Sequence, residues 1–268
     1  MRLEHTMELI SLEGISRFYG EGETLVKALD EVDLKIEEGE IVALLGPSGS
    51  GKTTLLNVIS ALDVPTDGDY QFRGQKVPLG HVEKMTTFRR ENVGYIFQFF
   101  NLISDLTAEE NVLLVQQLSG LNDRERAKKM LSLVGLSGLE NRFPAQMSGG
   151  QRQRVAIARA LAKSPRIILG DELTGNLDSK TSRQVMEALI DIVRAESSTL
   201  IYVTHDEKLT KYATRVIKLD SGKIVSDESG ELASPIGHAK DSARKLVKEV
   251  SKLGGSVSST INRIKDSF

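Results

Sequence analysis

No cysteine occurs anywhere in the 268 residues, which excludes disulfides, thiol nucleophiles and cysteine-ligated metal centres. Histidine is scarce, and the four present, at positions 5, 81, 205 and 238, are too scattered for a zinc motif. Long apolar runs are missing too. The longest, Ile41 to Leu45, falls far short of the roughly 20 residues a membrane helix needs. Arg2, Glu4, His5 and Glu8 interrupt the first stretch, so no signal peptide is expected there. Nor is there an excess of one charge: 35 basic residues stand against 37 acidic ones, for a net charge of −2. Bulk nucleic-acid binding leaves a basic footprint, so no nucleic-acid partner is expected. What remains is 40% hydrophobic and 27% charged, an ordinary globular composition able to bury a real core. The expectation is a cytoplasmic protein that meets a membrane, if at all, from its surface.

No repeat of solenoid period and no low-complexity tract is present. Glu8 to Glu40 reads as short strands, with Leu9-Ile10 and then Val32, Leu34 and Ile36 alternating with charged residues. Ile41 to Leu45 has the look of a strand buried on both faces. A glycine-rich loop follows, then helical spacing from Thr53 to Ala61. From Thr107 to Lys163 helical patterns dominate, opened by a capping box of Thr107 with Glu110 and repeated by Asn122 with Glu125. Arg166 to Leu169 returns to strand, Ser179 to Arg194 reads as a helix, and Thr199 to Val203 as a β-branched strand. Arg215 to Leu219 and Lys223 to Ser226 form a hairpin pattern around Asp220-Ser221-Gly222. The expectation is therefore an α/β core with a helical insertion, at about residues 99–163, in a domain spanning 1–227. A polar linker at 228–237 and a separate segment at 238–268 follow.

Gly46-Pro47-Ser48-Gly49-Ser50-Gly51-Lys52-Thr53 fits G-x-x-x-x-G-K-[ST], and Thr54 extends it into the helix. Glycines let backbone N–H groups wrap phosphates, and the helix that begins near Gly51 adds the positive end of its dipole. Lys52 supplies a point charge to the outer phosphates, and the Thr53 hydroxyl a ligand for magnesium. The pattern arises by chance in about one chain of this length in a hundred. A plain surface turn is the alternative, and the buried strand before it and the helix after it speak against that. Ile167-Ile168-Leu169-Gly170-Asp171-Glu172 is an apolar strand ending in two acids. Asp171 is placed to hold magnesium through water, and Glu172 to polarise a water attacking the γ-phosphate. A solvated acidic turn is the alternative there, and the upstream glycine loop favours chemistry.

Met147-Ser148-Gly149-Gly150-Gln151 precedes a helical stretch, Arg152 to Ala162. A serine-capped helix start would explain it, but a second glycine-rich helix start is also a phosphate site. Here the sequence resembles the signature of ABC-type ATPases, usually L-S-G-G-Q, with Met147 in place of leucine. The resemblance covers about Leu9 to Ser226, with its motifs in the family's order. It implies a P-loop NTPase core with an antiparallel β subdomain and an inserted α-helical subdomain. It also implies ATP and Mg2+ as cofactors and a homodimer in which Ser148, Gly149, Gly150 and Gln151 contact ATP held by the partner chain. Tyr19 would stack on adenine, Gln98 would sense magnesium, Leu177-Asp178 would cross the dimer interface, and His205 would act as the switch histidine. For each a structural role is the alternative: core packing, a strand end, a helix cap, a strand-end histidine.

Two residues depart from the family pattern: Leu173 stands in place of the usual proline, and Gly170 where alanine is frequent. Phe99-Phe100-Asn101-Leu102-Ile103, Leu106 to Val112 and Gly175 to Ser179 look most like the lipoprotein-releasing, macrolide-efflux and cell-division branch. By resemblance, then, the chain is an ATPase driving a separate transmembrane permease from the cytoplasmic side of the membrane. An ABC ATPase outside transport is the runner-up; such proteins carry coiled-coil inserts, zinc-binding cysteines or tandem modules, and none of these occurs here. A degenerate nucleotide-binding regulator is opposed by intact Lys52, Asp171, Glu172 and His205. Beyond the resemblance, Ala239, Ala243, Leu246, Val250, Leu253, Val257, Ile261, Ile264 and Phe268 line one face of a helical tail interrupted at Gly254-Gly255. That face suits packing on the core or its copy, or a basic amphipathic helix that lies on an anionic membrane surface or grips the permease.

Overall fold

Alternating apolar and polar side chains make β2 (Val26–Glu37) a half-buried strand, and it pairs antiparallel with β1 (Glu8–Tyr19), in which Leu9 to Leu12 are all buried. The computed structural model describes residues 7–175 and 177–233. Next come β3 (Ile41–Leu45), α1 (Lys52–Ile59), β4 (Asp67–Phe72), β5 (Gln75–Lys76), α2 (Val82–Asn92) and β6 (Val93–Ile96). Three helices follow, α3 (Ala108–Leu118), α4 (Arg124–Leu133) and α5 (Gly149–Leu161). Then come β7 (Ile167–Gly170), α6 (Ser179–Ala195), β8 (Thr199–Val203), β9 (Arg215–Asp220) and β10 (Lys223–Ser229). One sheet runs β2-β1-β4-β5 and is antiparallel. The other runs β10-β9-β3-β8-β7-β6, parallel except for the β9-β10 hairpin. This is the α/β fold expected, with an antiparallel sheet and a helical insertion.

The central strand decides how the layers meet. All five residues of β3 are buried. Because side chains alternate across a strand, Ile41 and Ala43 enter a core with α3 to α6, while Val42 and Leu44 enter a second with α1, α2 and the antiparallel sheet. Each fully buried Leu or Ile contributes roughly 1.5–3 kcal/mol relative to exposure. Truncating Leu44 to alanine would therefore cost about 2–5 kcal/mol. The buried hydroxyls of Tyr70 and Tyr202 avoid a desolvation penalty by donating to the carbonyls of Ile59 and Leu209, at 2.9 and 2.8 Å.

Several local expectations hold and others shift. The Thr107–Glu110 capping box is formed. The next helix is capped by Asp123, not Asn122: its carboxylate accepts from the Arg126 N–H at 2.9 Å. The capping side chain has to sit immediately before the first helical residue, and Asn122 lies one position too early. Ala61, at φ 55°, ends α1 before the expected limit. The hairpin closes through Ser221 and Gly222, both at positive φ, the two-residue turn that matches strand twist. β10 continues through Ser229, so the stretch taken as linker from Glu228 begins as strand. Glu231–Ala233 then form a short 3-10 turn that buries Leu232, so this part of the expected linker packs on the core. The linker from Ser234 on and the amphipathic tail lie outside the described residues. α2, β4 and β5 had no counterpart in the sequence pattern. α2 buries only Met85 and Phe88 and lacks a side-chain cap, so its periodicity is faint.

The parallel strands place the chemistry. The glycine loop follows β3, Gln98 follows β6, Asp171 and Glu172 follow β7, and His205 follows β8. All leave the carboxyl edge of one sheet, where open α/β folds bind ligands.

Candidate active site at the sheet's carboxyl edge

The glycine loop has no room for side chains where it bends most. A Cβ on Gly46 (φ 151°) would lie 2.1 Å from the Leu219 carbonyl oxygen, and one on Gly51 (φ 102°) 2.2 Å from that of Ala28. Both clashes are with backbone, so the loop is locked to β9 and β2 only as glycine. Gly51 stands at the start of α1 without a side-chain cap, leaving first-turn N–H groups for an anion. Lys52 opens that helix, and its Nζ donates to the carbonyls of Gly46 (2.9 Å) and Pro47 (2.6 Å) and to Ser50 Oγ (3.2 Å). Burial lowers the Lys52 pKa from its ordinary value, with the carboxylates of Glu172 and Asp171 opposing the shift. Ser48, Gly49 and Thr54 belong to the same curl and its first helical turn.

Thr53 and Asp171 come together from elements 118 residues apart, the Thr53 hydroxyl lying 3.4 and 3.3 Å from the two carboxylate oxygens. Burial raises the Asp171 pKa, Glu172 adds to the rise, and Thr53 and Lys52 oppose it. An acid kept out of water beside a hydroxyl is a place where a cation gains much. Among the described residues no three His, Cys, Asp or Glu side chains cluster as a ready-made metal cage. A sparse donor set of one hydroxyl and one carboxylate fits Mg2+, which keeps waters and takes ligand phosphate oxygens.

Glu172 is held from both sides. Gln98 Nε2 donates to its Oε2 at 2.6 Å, and His205 Nδ1 stands 3.5 Å from Oε1. Its backbone is left-handed at φ 44°, a conformation that costs of order 1–3 kcal/mol in a residue with a side chain. The next residue supplies the counterweight. Leu173 is only 3% exposed and packs into the helical core. A Cβ on Gly170 would lie 2.6 Å from Leu173 Cδ2 and 2.7 Å from its Cγ. The two departures noted in the sequence are thus a single packing arrangement: glycine at 170 makes the space that leucine at 173 fills.

Ser148 caps α5 in a complete capping box with Gln151, so Gly149 and Gly150 sit in the first turn. A Cβ on Gly150 would come 2.5 Å from Thr181 Cγ2, which seats this helix start on that of α6. Asp178 caps α6, accepting from Lys180 and Thr181 N–H at 3.0 Å each. No hydrogen bond joins residues 148–151 to residues 46–54 among the described residues. Tyr19 is not core. Its ring is 39% exposed, its hydroxyl donates to Asp63 Oδ2 at 2.6 Å, and the Arg17 guanidinium lies 4.5 Å from its centroid. It pairs with Val26 on β2, the strand whose Ala28 touches Gly51.

Residues 29–175 match the family model described as ABC transporter. The chain belongs to the ABC transporter ATP-binding family. It is 48% identical to an uncharacterised ABC transporter ATP-binding protein of Methanocaldococcus jannaschii, over 81% of this chain and 98% of that protein. It is 45% identical to a macrolide export ATP-binding/permease protein of Hyphomonas neptunium, over 85% of this chain and 36% of that longer protein. Among solved structures, an ATP-binding cassette in a dimeric post-hydrolysis state with ADP and Pi aligns with TM-score 0.77. That match has 40% identity and covers 82% of this chain and 98% of the other.

In this cassette the structure brings Lys52, Thr53, Gln98, Asp171, Glu172 and His205 to one edge, while Ser148 to Gln151 stand at a separate helix start. Sequence reading missed the Arg17–Asp63 pair that braces Tyr19, at 2.8 Å. Only a pattern of long-range pairing could have found it, since 46 residues separate the two. It missed Arg159 as well, whose helix gave no sign of what its outer face would meet.

Proposed function

We propose that this cassette hydrolyses ATP as a homodimer and drives a separate permease from the cytoplasmic side of a membrane, as a peripheral subunit. The observation that carries the reading is the meeting of Gln98, Glu172 and His205 beside Thr53 and Asp171. A phosphate-ready helix start at Ser148 that its own glycine loop does not use supports a site completed by a partner chain.

In this reading the loop N–H groups of Gly46 to Thr54 and Lys52 cradle the phosphates, and Tyr19 stacks on adenine. Thr53, Asp171 and Gln98 would hold Mg2+, which would neutralise charge on the phosphate oxygens. Glu172 accepts a hydrogen bond from a water and takes up its proton as the water oxygen attacks the γ-phosphorus, the bond to the bridging oxygen breaks and ADP leaves. His205 orients Glu172 and the γ-phosphate. Ser148, Gly149, Gly150 and Gln151 reach the γ-phosphate bound by the other chain, and Asp178 follows Leu177 at the same interface. Gln98, which donates to Glu172, ties the start of its loop to the hydrolytic carboxylate, so movement of that loop and chemistry are linked.

The permease docks near Phe99 and Ile103, apolar side chains 71% and 44% exposed on the loop that begins at Gln98. No described helix is long and apolar enough to cross a membrane. The relative whose printed name joins ATP-binding and permease functions in one chain supports that pairing.

Replacing Glu172 with glutamine preserves shape and ATP binding but removes the carboxylate. Turnover should fall by about a hundredfold or more, and the variant should accumulate as a dimer in size-exclusion chromatography with ATP and magnesium. A monomer that hydrolyses at the wild-type rate overturns the reading.

A further inference from the structure

Just beyond Gln98 the chain turns sharply, and the turn is gripped from the helix that begins at Ser148. Phe100 and Asn101 are both left-handed, at φ 62° and 47°, which two side-chain-bearing residues in succession seldom adopt. That backbone presents both carbonyls to one guanidinium. Arg159 Nη2 donates to Phe100 O at 2.7 Å, and Nη1 donates to Asn101 O. Arg152, two turns earlier on the same face of α5, holds its guanidinium 5.5 Å from the Phe100 ring centroid. A guanidinium withdrawn from water ordinarily takes a carboxylate, but the planar fork of Arg159 is engaged by these two backbone oxygens. Burial accordingly lowers its pKa from the ordinary value.

The far end of the same loop is fixed as well. Asn111 of α3, 1% exposed, accepts from Ile103 N–H at 2.9 Å and donates to the carbonyls of Ile103, Leu106 and Thr107. The segment from Gln98 to Thr107 is therefore tied to α5 at its start and to α3 at its end. The tie from α5 lies on the helix that Ser148 caps.

We propose that Arg159 is a positioning residue that locks the Gln98 loop to the α5 helix, so that Gln98 and the Ser148–Gln151 helix start move as one body. The link rests on the ATP-sandwich reading above. It gives that reading a physical connection between the residue that contacts Glu172 in this chain and the residues offered to the partner's nucleotide. A single rigid guanidinium suits the task because it fixes direction as well as distance, which a flexible ammonium cannot.

Arg159→Lys in the full-length chain keeps the charge and loses the fork. With ATP and Mg2+, kcat should fall by about tenfold or more while ATP affinity of the monomer stays within about twofold, since Lys52 and its loop are untouched. In a Gln98→Ala background the same substitution should lower kcat by less than about twofold further, because the loop no longer carries the amide being positioned. Unchanged kcat in Arg159→Lys, or an equal loss in both backgrounds, overturns the proposal. If Arg159→Lys does not fold, Arg159→Gln removes the buried charge, keeps a single donor nitrogen in place of the fork, and enters the same cycle. Amide hydrogen exchange of the nucleotide-free protein gives a readout independent of turnover. Exchange at residues 98–103 should quicken in the variant while that of α5 does not, and unchanged exchange at 98–103 also overturns the link. Wild-type protein that fails to hydrolyse ATP counts against the function, whereas the exchange result still decides the clamp.

Discussion

Glu172 occupies its position because the residues on either side of it fit each other. Leu173 anchors the chain in the helical core immediately after a left-handed residue, and Gly170 leaves the volume that anchor needs. Both limit where the Glu172 carboxylate can stand. A methyl group added at Gly170 meets Leu173 at both Cδ2 and Cγ, so rotating the leucine tip does not relieve the clash. Gly170→Ala should destabilise the fold by about 1–3 kcal/mol. In a Leu173→Ala background, where the space is free, the same change should cost at least about 0.5 kcal/mol less. Chemical denaturation of the four proteins checks this. Equal costs in the two backgrounds would show that the residues do not share one space.

At the scale of elements, the start of α5 carries two tasks that one serine serves together. Ser148 closes a capping box, a local contribution of about 1 kcal/mol. In the proposed sandwich it also meets the partner's phosphate. Aspartate separates the tasks, since it caps as well as serine but carries a charge that repels phosphate. Ser148→Asp should therefore keep thermal stability near the wild-type value and bind ATP as a monomer, yet lose hydrolysis by about a hundredfold. A variant that hydrolyses normally would remove Ser148 from the phosphate site. One that loses stability and activity together would leave it a cap alone.

At the scale of the whole molecule, two cores share one parallel sheet, with the helical insertion on one face and the antiparallel sheet on the other. The apolar stripe of residues 239–268 lies outside the described residues, and its sequence admits two uses: packing, or contact with an anionic membrane surface. Charge attraction to lipid weakens as salt rises, whereas apolar packing does not. If the tail contacts lipid, the full chain should float with anionic liposomes at low salt and less at high salt, and a chain ending at Ser234 should not float at either. Equal flotation of the two chains would assign the tail to packing.

The sequence by itself determined the order of the chemistry. The glycine loop, the paired acids, the Ser148 signature and His205 are local patterns, in which chemistry demands particular residues at fixed spacing. The same holds for β3, whose five apolar residues announce burial on both faces, and for the Thr107 box, which needs only three residues of reach. Tertiary structure alone decided which of these meet. The contact of Thr53 with Asp171, and of Gln98 with Glu172, depends on strand order, and no local pattern encodes that β6 and β7 lie side by side. It also decided what Arg159 grips and why Gly170 accompanies Leu173, because each depends on the volume and direction available once distant segments pack. Short-range steric and hydrogen-bonding preferences are written into neighbouring residues, whereas contacts across the fold exist only after the two cores have formed.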